Sequence, residues 1–400
     1  MRAMRMVFYM AIAGLLWHPV VCQSSGTSRE SEKLKNESRR HQARFANSFR
    51  AVEDWLARGA FPSAVLAVGQ HGRIVALKAF GRSEYCSCAK KIRPNTIFDL
   101  ASVSKAVGAT TAAALLYDTN KLDLDAPVVR YLPEFAGLEG HEEVSVRQLL
   151  THSSGIPTPG RMHEKASDKI GVLKQIFAVP LASKPGSQFV YRDTNFILLG
   201  EVVERASGMP LDDLLRRQVF EPLGMQDTFY NPPPKLHSRV APTEYDARLR
   251  KRIVRGQVHD ENCYVMGGVS GHAGLFSTAP DLSIFAQMFL NKGVYHGKRI
   301  LSSATVELFA TRQDLPLGST RALGWDTGSP DSLAGEQASP RAVLHEGFTG
   351  TSIYIDPDRD AFIVFLSNRV HPSRQNQAID QARRDVHAAV LKALDAGAGN

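Results

Sequence analysis

The sequence predicts an α+β fold of the sandwich type: one antiparallel sheet flanked by terminal helices, with a large helical insertion. Residues 64–68 and 74–80 are apolar runs joined by Gly69-Gln70-His71-Gly72, a pattern typical of a β-hairpin. Three further strand-like runs follow near the C-terminus: 342–345, 351–355 and 361–367. Because strands come from both ends of the chain, we expect them to form a single sheet.

Helical periodicity marks both ends of the chain and the long segment between the strands. Apolar residues recur at helical spacing near the N-terminus, at Phe45, Phe49, Val52, Trp55 and Leu56. This spacing predicts a first amphipathic helix, and a closing helix is predicted over 375–394. The clearest helices of the insertion are 144–151, 197–206, 211–219 and 282–291. We expect the insertion to pack beside the sheet, with a binding pocket at their boundary.

The N-terminal segment predicts export. Residues 1–22 are typical of a signal peptide, because Arg2 and Arg5 precede an apolar core too short to span a bilayer comfortably. Residues 23–42 are polar and are predicted to be a flexible linker. We therefore expect a periplasmic or secreted protein without a stable membrane span after signal removal. Lipid anchoring at Cys22 is the alternative.

The remaining residues, 43–400, are predicted to form one domain, with a sheet subdomain (43–117 and 326–400) and a helical subdomain (118–325). The formal charge of +8 comes from 48 basic and 40 acidic residues. The basic residues cluster near the N-terminus and at 248–255, and neither cluster is interleaved with the glycines and aromatic residues of a nucleic-acid-binding surface. No nucleic-acid partner is therefore expected. We expect a monomer.

Cysteine and histidine spacing argues against a metal site. Signal removal would leave Cys86, Cys88 and Cys263, without suitably spaced histidines, and the chain has no HExxH motif. Cys86 and Cys88 are expected to be too close in sequence to bridge each other easily, and either could pair with Cys263. No metal and no organic cofactor is implied.

The tetrapeptide Ser102-Val103-Ser104-Lys105 opens a long, mostly apolar helical run. Residues three apart on a helix are neighbours, so the Lys105 amine can reach the Ser102 hydroxyl. We expect burial to lower the proton affinity of Lys105, so that it could act as a base near neutral pH. A second SxxK copy, Ser87 to Lys90, lies in a polar stretch and is predicted to be a surface loop.

Three blocks in order carry a family resemblance. They are Ser102 to Lys105, Tyr191-Arg192-Asp193 and His345-Glu346-Gly347. The segments 149–155 and 221–225 support the same resemblance. Over about residues 45 to 395, the chain resembles the serine β-lactamase and penicillin-binding protein superfamily, and in particular the class C β-lactamase-like serine hydrolases. Residues 256–262 and 266–277 look like those of D-alanyl-D-alanine carboxypeptidases of the penicillin-binding protein 4B type.

The resemblance implies a role for each block. Ser102 would attack a carbonyl carbon and become acylated, while Lys105 and Tyr191 share the proton transfers. The backbone N–H groups of Ser102 and Phe348 would form the oxyanion hole. The residues implied in substrate binding are Asp193, His345, Glu346 and Gly347.

Several residues have a second interpretation. Asp193 is equally suited to cap the following helix. Glu346 stands where many relatives carry a hydroxyl residue; pointing inward, it would repel an anionic substrate unless His345 and Arg192 restore positive potential. His259, Asp260 and His272 either line the cleft or hold a loop.

The leading functional prediction is a secreted serine hydrolase that works through a Ser102 acyl-enzyme. It would hydrolyse amide bonds in β-lactams or peptidoglycan peptides, as a β-lactamase or D-alanyl-D-alanine carboxypeptidase does. The alternatives are a carboxylesterase on the same scaffold and a penicillin-binding or sensor protein without turnover. An α/β-hydrolase is disfavoured because the chain has no GxSxG motif.

Overall fold

The computed structural model describes residues 43–396. The strands are β1 (Ser63–Gln70), β2 (Arg73–Gly81), β3 (Phe98–Asp99), β4 (Phe229–Tyr230), β5 (Tyr245–Asp246), β6 (Arg252–Ile253), β7 (Leu275–Ser277), β8 (Val294–Tyr295), β9 (Lys298–Arg299), β10 (Asp326–Thr327), β11 (Val343–Glu346), β12 (Ser352–Asp356) and β13 (Ala361–Ser367). The α-helices are α1 (Ala46–Ala57), α2 (Thr111–Asp118), α3 (Val146–Leu150), α4 (Lys169–Phe177), α5 (Asp193–Ser207), α6 (Leu211–Leu215), α7 (Glu221–Leu223), α8 (Glu261–Val265), α9 (Ala279–Leu290), α10 (Ser303–Ala310) and α11 (Ile379–Ala396).

Strands from both ends of the chain form one six-stranded sheet in the order β10-β11-β12-β13-β1-β2. Every neighbouring pair is antiparallel, and the hairpin β1–β2 joins the C-terminal strands through the pairing of β1 with β13. The predicted α+β fold is confirmed. The predicted strands and helices lie within a few residues of the observed ones.

Helices cover both faces of the sheet. Along β1, Leu66 and Val68 face a core shared with the terminal helices α1 and α11. Val65 and Ala67 face the opposite core, which includes the helix after Ser102 and helix α9. Successive residues of a strand point to opposite faces, so a strand buried on both sides reads as a continuous apolar run.

The segment that carries the SxxK motif departs from the regular α-helix that the sequence predicts. Residues Lys105–Thr110 form a π-helical stretch, and α2 follows directly. Short π-helical segments are rare and occur frequently at functional sites. Upstream, β3 pairs with β7, and the Leu100 N–H donates to the Leu275 carbonyl at 2.9 Å, which anchors the turn before Ser102.

The expected cysteine pairing is wrong. Cys86 and Cys88 form a disulfide, and Cys263 is free and buried. A turn, in which the Ala89 N–H donates to the Cys86 carbonyl, brings the Cα atoms of the two bridged residues to 5.2 Å. That separation is ordinary for a disulfide. The Cys263 thiol donates instead to the Ala273 carbonyl at 3.3 Å.

The predicted signal peptide (1–22) and linker (23–42) lie outside the described residues. The division into a sheet and a helical subdomain stays a prediction. Within residues 43–396, no helix has the length and apolar character needed to cross a bilayer.

Candidate active site

The Ser102 side chain is presented by a backbone turn in an unfavourable conformation. The preceding residue, Ala101, has φ +47°, in the left-handed region that side chains other than Gly rarely adopt. The Asp99 carboxylate accepts the Ala101 N–H at 2.8 Å, and the Leu100 carbonyl accepts that of Val103 at 3.1 Å. These bonds hold a conformation that costs roughly 1–2 kcal/mol, as is common at active sites.

Lys105 is fully buried, and all three of its ammonium donors are used. They bind Ser102 Oγ at 2.9 Å, Asp193 Oδ1 at 2.7 Å and the His272 carbonyl at 3.1 Å. Burial disfavours the charge, but the Asp193 carboxylate and Tyr191 outweigh it and raise the pKa of Lys105 above its ordinary value. The prediction that Lys105 loses proton affinity is therefore wrong, because that prediction lacked its carboxylate partner.

Asp193 is the first residue of α5, so the helix-capping alternative is wrong. The N-cap residue is Arg192, which makes no side-chain capping bond. The Asp193 side chain is 39% exposed and contacts Lys105, and a carboxylate in the first turn of a helix is favoured by the helix dipole. Its predicted contact with substrate stays a prediction.

We predict that Asp193→Asn moves the alkaline limb of the kcat/KM pH profile to lower pH. The carboxylate raises the pKa of Lys105, so its loss lets the buried ammonium lose its proton at lower pH. If the ammonium form is the active one, the alkaline loss of activity then occurs at a pH that can be measured. Turnover at pH 7 should change by less than about tenfold. Asp281→Asn, in the first turn of α9, is the matched control and should leave the limb in place. A rise in neutral-pH activity would instead identify neutral Lys105 as the base.

Tyr191 lies beside the Lys105 ammonium, and His152 contacts the backbone on both sides of it; the sequence placed His152 in the supporting segment 149–155 but predicted no site role for it. The Tyr191 ring centroid is 5.0 Å from Lys105 Nζ. The His152 carbonyl accepts the Val190 N–H at 2.9 Å, and His152 Nδ1 accepts the Arg192 N–H at 3.2 Å. The His152 and Tyr191 rings lie 4.4 Å apart. Burial, with Arg321 and Lys105 nearby, holds the pKa of His152 well below 6.5, which leaves Nδ1 as an acceptor.

The third block lies on β11 and in the turn that follows it. His345 is buried, and burial together with Lys105 and Arg321 lowers its pKa to about 3. It is therefore neutral at pH 7, and the expectation that it restores positive potential is wrong. Glu346 does line the cavity, but Arg383 lies 3.3 Å from its carboxylate and offsets its charge.

Gly347 allows this turn to approach the Ser102 turn. A Cβ atom at residue 347 would lie 2.1 Å from Thr351 Oγ1 and 2.3 Å from the Leu100 carbonyl oxygen. The two turns are joined by the Thr349 hydroxyl, which donates to the Asp99 carbonyl at 2.6 Å, and by the Thr351 hydroxyl, which donates to that of Leu100 at 2.8 Å. Any side chain at 347 would push the turns apart.

The backbone N–H groups of Ser102 and Phe348 are available to a ligand. Within residues 43–396, neither donates a hydrogen bond to a protein acceptor, although both residues line the same cavity. Unpaired N–H groups beside a nucleophile are the arrangement that stabilises a tetrahedral oxyanion.

The cavity over Ser102 has a volume of about 560 Å³ and a polar lining. Its charged residues are balanced in sign: Arg321, Arg369, Arg383 and Arg384 against Asp326, Asp331, Glu346 and Asp380. Tyr191 and His345 complete the wall near Ser102. Arg192 is not among the lining residues. No group of side chains in the part of the chain that the structure describes is arranged to hold a metal ion.

The two histidine clusters near the site make loop contacts. His259 Nε2 contacts the Glu244 carboxylate at 2.9 Å, and the backbone N–H of His259 donates to the Asp99 carboxylate. His272 Nε2 contacts the Asp260 carboxylate at 2.9 Å. None of these residues lines the cavity, which supports the loop-holding interpretation.

Comparison with known proteins identifies the family. The family described as Beta-lactamase matches residues 49–388. The chain belongs to the β-lactamase family. It is 34% identical over 359 residues to "N-acetylmuramyl-L-alanine amidase" of Bacillus subtilis, covering 80% of each protein. It is 32% identical over 397 residues to "Putative D-alanyl-D-alanine carboxypeptidase" of Escherichia coli, covering 89% of this chain and 91% of that protein.

The fold agrees with this assignment. A penicillin-binding protein homologue from Caulobacter crescentus superposes with a TM-score of 0.71 at 22% identity, covering 88% of this chain and 97% of the other. The predicted resemblance is confirmed: the chain is a serine hydrolase of the β-lactamase family, related to proteins named as D-alanyl-D-alanine carboxypeptidases.

Proposed function

We propose that this protein is a secreted serine hydrolase that forms an acyl-enzyme on Ser102 and hydrolyses amide bonds in peptidoglycan peptides or β-lactams. One observation carries the proposal. Ser102 Oγ accepts a hydrogen bond from the Lys105 ammonium, and Ser102 lines the same cavity as Phe348, whose N–H has no protein acceptor among residues 43–396. A nucleophile, a fixed positive charge and two oxyanion donors therefore surround one space.

Acylation follows from these groups. The step requires Tyr191 in its phenolate form: Ser102 Oγ attacks the carbonyl carbon, and its proton passes to the phenolate oxygen, because the charged Lys105 has no lone pair to accept it. The neighbouring ammonium stabilises negative charge on a phenol oxygen. The tetrahedral oxyanion binds the N–H groups of Ser102 and Phe348. Tyr191 then returns the proton to the leaving nitrogen, and the C–N bond breaks.

Deacylation repeats the proton transfers with water. Tyr191 accepts a proton from a water molecule that attacks the ester carbonyl, and the proton finally returns to Ser102 Oγ. Every proton is accounted for by Tyr191 and the reactants, with the Lys105 charge constant throughout.

The cavity favours a polar substrate. At about 560 Å³ it is within the range of small-ligand sites, and its lining carries both charges. A peptide with free amino and carboxylate groups matches such a lining better than an apolar ester does. The names of the amidase and carboxypeptidase relatives support cell-wall peptides in the same way.

Intact-mass spectrometry after incubation with penicillin tests the proposal. We expect one adduct of the full antibiotic mass, located by peptide mapping on the segment that contains Ser102. Parallel assays with a chromogenic cephalosporin, a D-Ala-D-Ala peptide and a p-nitrophenyl ester assign the substrate. Turnover of the ester alone would favour the carboxylesterase, and a persistent adduct without turnover would favour the sensor. No adduct and no hydrolysis would contradict the proposal.

A further inference from the structure

Arg383, at the start of α11, is a buried charge beside the oxyanion turn. Its side chain is only 4% exposed, and burial lowers its pKa, although an arginine stays charged throughout the usual pH range. Glu346 at 3.3 Å and Asp380 at 3.7 Å are its acidic partners within the described part of the chain. Both carboxylates are largely exposed, so their attraction recovers little of the free energy that desolvating the guanidinium costs. Stability alone therefore does not account for this arginine.

The donors of Arg383 bind the backbone of the turn. Its Nη2 donates to the Gly347 carbonyl and, at 3.0 Å, to the Thr351 carbonyl. The Gly347 carbonyl and the Phe348 N–H belong to one planar peptide group, in which the two bonds point in opposite directions. A donor that fixes the Gly347 oxygen thus fixes the direction of the Phe348 N–H. A positive charge on that oxygen also polarises the peptide group and strengthens its N–H as a donor.

The Gly350 N–H also donates to the Gly347 carbonyl, at 3.0 Å, so Arg383 is the charged one of two donors that orient this peptide group. Gly347, on the N-terminal side of the peptide group, restricts its rotation less than a residue with a side chain would, so a second donor adds to the restraint. Arg369 holds the next peptide group, because its Nε donates to the Phe348 carbonyl at 2.7 Å. The two arginines together restrain the turn on both sides of the Phe348 N–H.

We propose that Arg383 is a positioning residue that aims the Phe348 N–H at the developing oxyanion, and that Glu346 is its counter-ion. This inference rests on the proposed function, because it requires a tetrahedral intermediate on Ser102. It also gives the acidic residue of the third block a role: Glu346 balances the charge that orients the turn.

Arg383→Met tests the inference. We expect kcat and kcat/KM for a p-nitrophenyl ester to fall together by about 10- to 100-fold, the signature of a contact used only in the transition state. The infrared carbonyl stretch of the acyl-enzyme should move to higher frequency, because its hydrogen bond weakens. Arg383→Lys, which keeps the charge, should recover part of both effects.

Arg359→Met is the matched control. Arg359 also joins the sheet to α11, through Asp356 at 2.8 Å and Asp395 at 2.6 Å, but it lies outside the Ser102 cavity. We expect a lower Tm with unchanged kcat and carbonyl frequency. If Arg383→Met does not fold, the double variant Arg383→Met/Glu346→Gln removes both charges, so that the Glu346 carboxylate is not left without its partner. It should show the same loss of kcat.

The outcomes separate this inference from the proposed function. A wild-type protein that forms no Ser102 adduct would contradict the proposed function, and with it the inference. A wild-type protein that forms the adduct, with Arg383 variants of unchanged kcat and carbonyl frequency, would overturn the inference alone. An equal loss of kcat in Arg359→Met would also overturn it, because the effect would then reflect a general loosening of α11.

Discussion

Ser102→Ala is expected to lower turnover of any substrate by at least about 10⁴-fold and to remove the covalent adduct. The Ser102 oxygen is the atom that becomes acylated, and it accepts a hydrogen bond from the Lys105 ammonium at 2.9 Å. The methyl group fills nearly the same space in the turn, so the fold should remain. Steady-state kinetics, intact-mass spectrometry and thermal unfolding measure the three quantities.

The chain provides its own control in the second SxxK copy. Ser87→Ala changes an exposed serine three residues before an exposed lysine, in an irregular segment that carries the Cys86–Cys88 disulfide. It should leave both turnover and the adduct unchanged. Residual turnover of Ser102→Ala above about 1% of wild type, or an adduct that moves to another residue, would contradict the proposed nucleophile.

The fold could be predicted because its signals are local. Strands β1 and β13 are buried on both faces and form continuous apolar runs, and the terminal helices carry their apolar stripes at regular spacing. The resemblance carried by the three sequence blocks implied that Ser102, Tyr191 and His345 lie near one another, and all three line one cavity. Hydrophobic periodicity and short motifs are both visible in a single sequence, so one sequence suffices to detect them.

The electrostatics of the site could not be predicted in the same way, because they depend on distant partners. The charge of Lys105 is set by Asp193, 88 residues away, and the charge of Glu346 is balanced by Arg383 on another element. His152 lies in the segment 149–155 that supports the resemblance, but nothing in the sequence indicates that it bonds the backbone on both sides of Tyr191. The sequence motifs indicate which residues belong to the site, whereas the protonation state of each residue depends on the charged groups and the burial around it.

Lys105→Met is expected to lower kcat/KM by about 10³-fold at pH 7. Methionine keeps the length of the buried side chain but removes the positive charge from Ser102 Oγ and from the Tyr191 ring. The Asp193 carboxylate would then lie unpaired beside the nucleophile, where it opposes both a phenolate and an oxyanion. A pH–rate profile should show low activity throughout, because no titration restores the ammonium.

Replacing Asp193 as well separates the two causes of this loss, which are the missing ammonium and the unpaired carboxylate. In Lys105→Met/Asp193→Asn no charge remains unpaired between these two positions, so kcat/KM should recover by about tenfold over Lys105→Met, or about 1.4 kcal/mol. The coupling energy is this recovery plus the loss measured for Asp193→Asn alone. The remaining loss then measures what the ammonium itself contributes to the transition state. Strictly additive effects of the two substitutions would contradict the ion pair as a functional unit. A double variant with full activity would show instead that Lys105 serves only to neutralise Asp193, and that Tyr191 needs no cation to accept the serine proton.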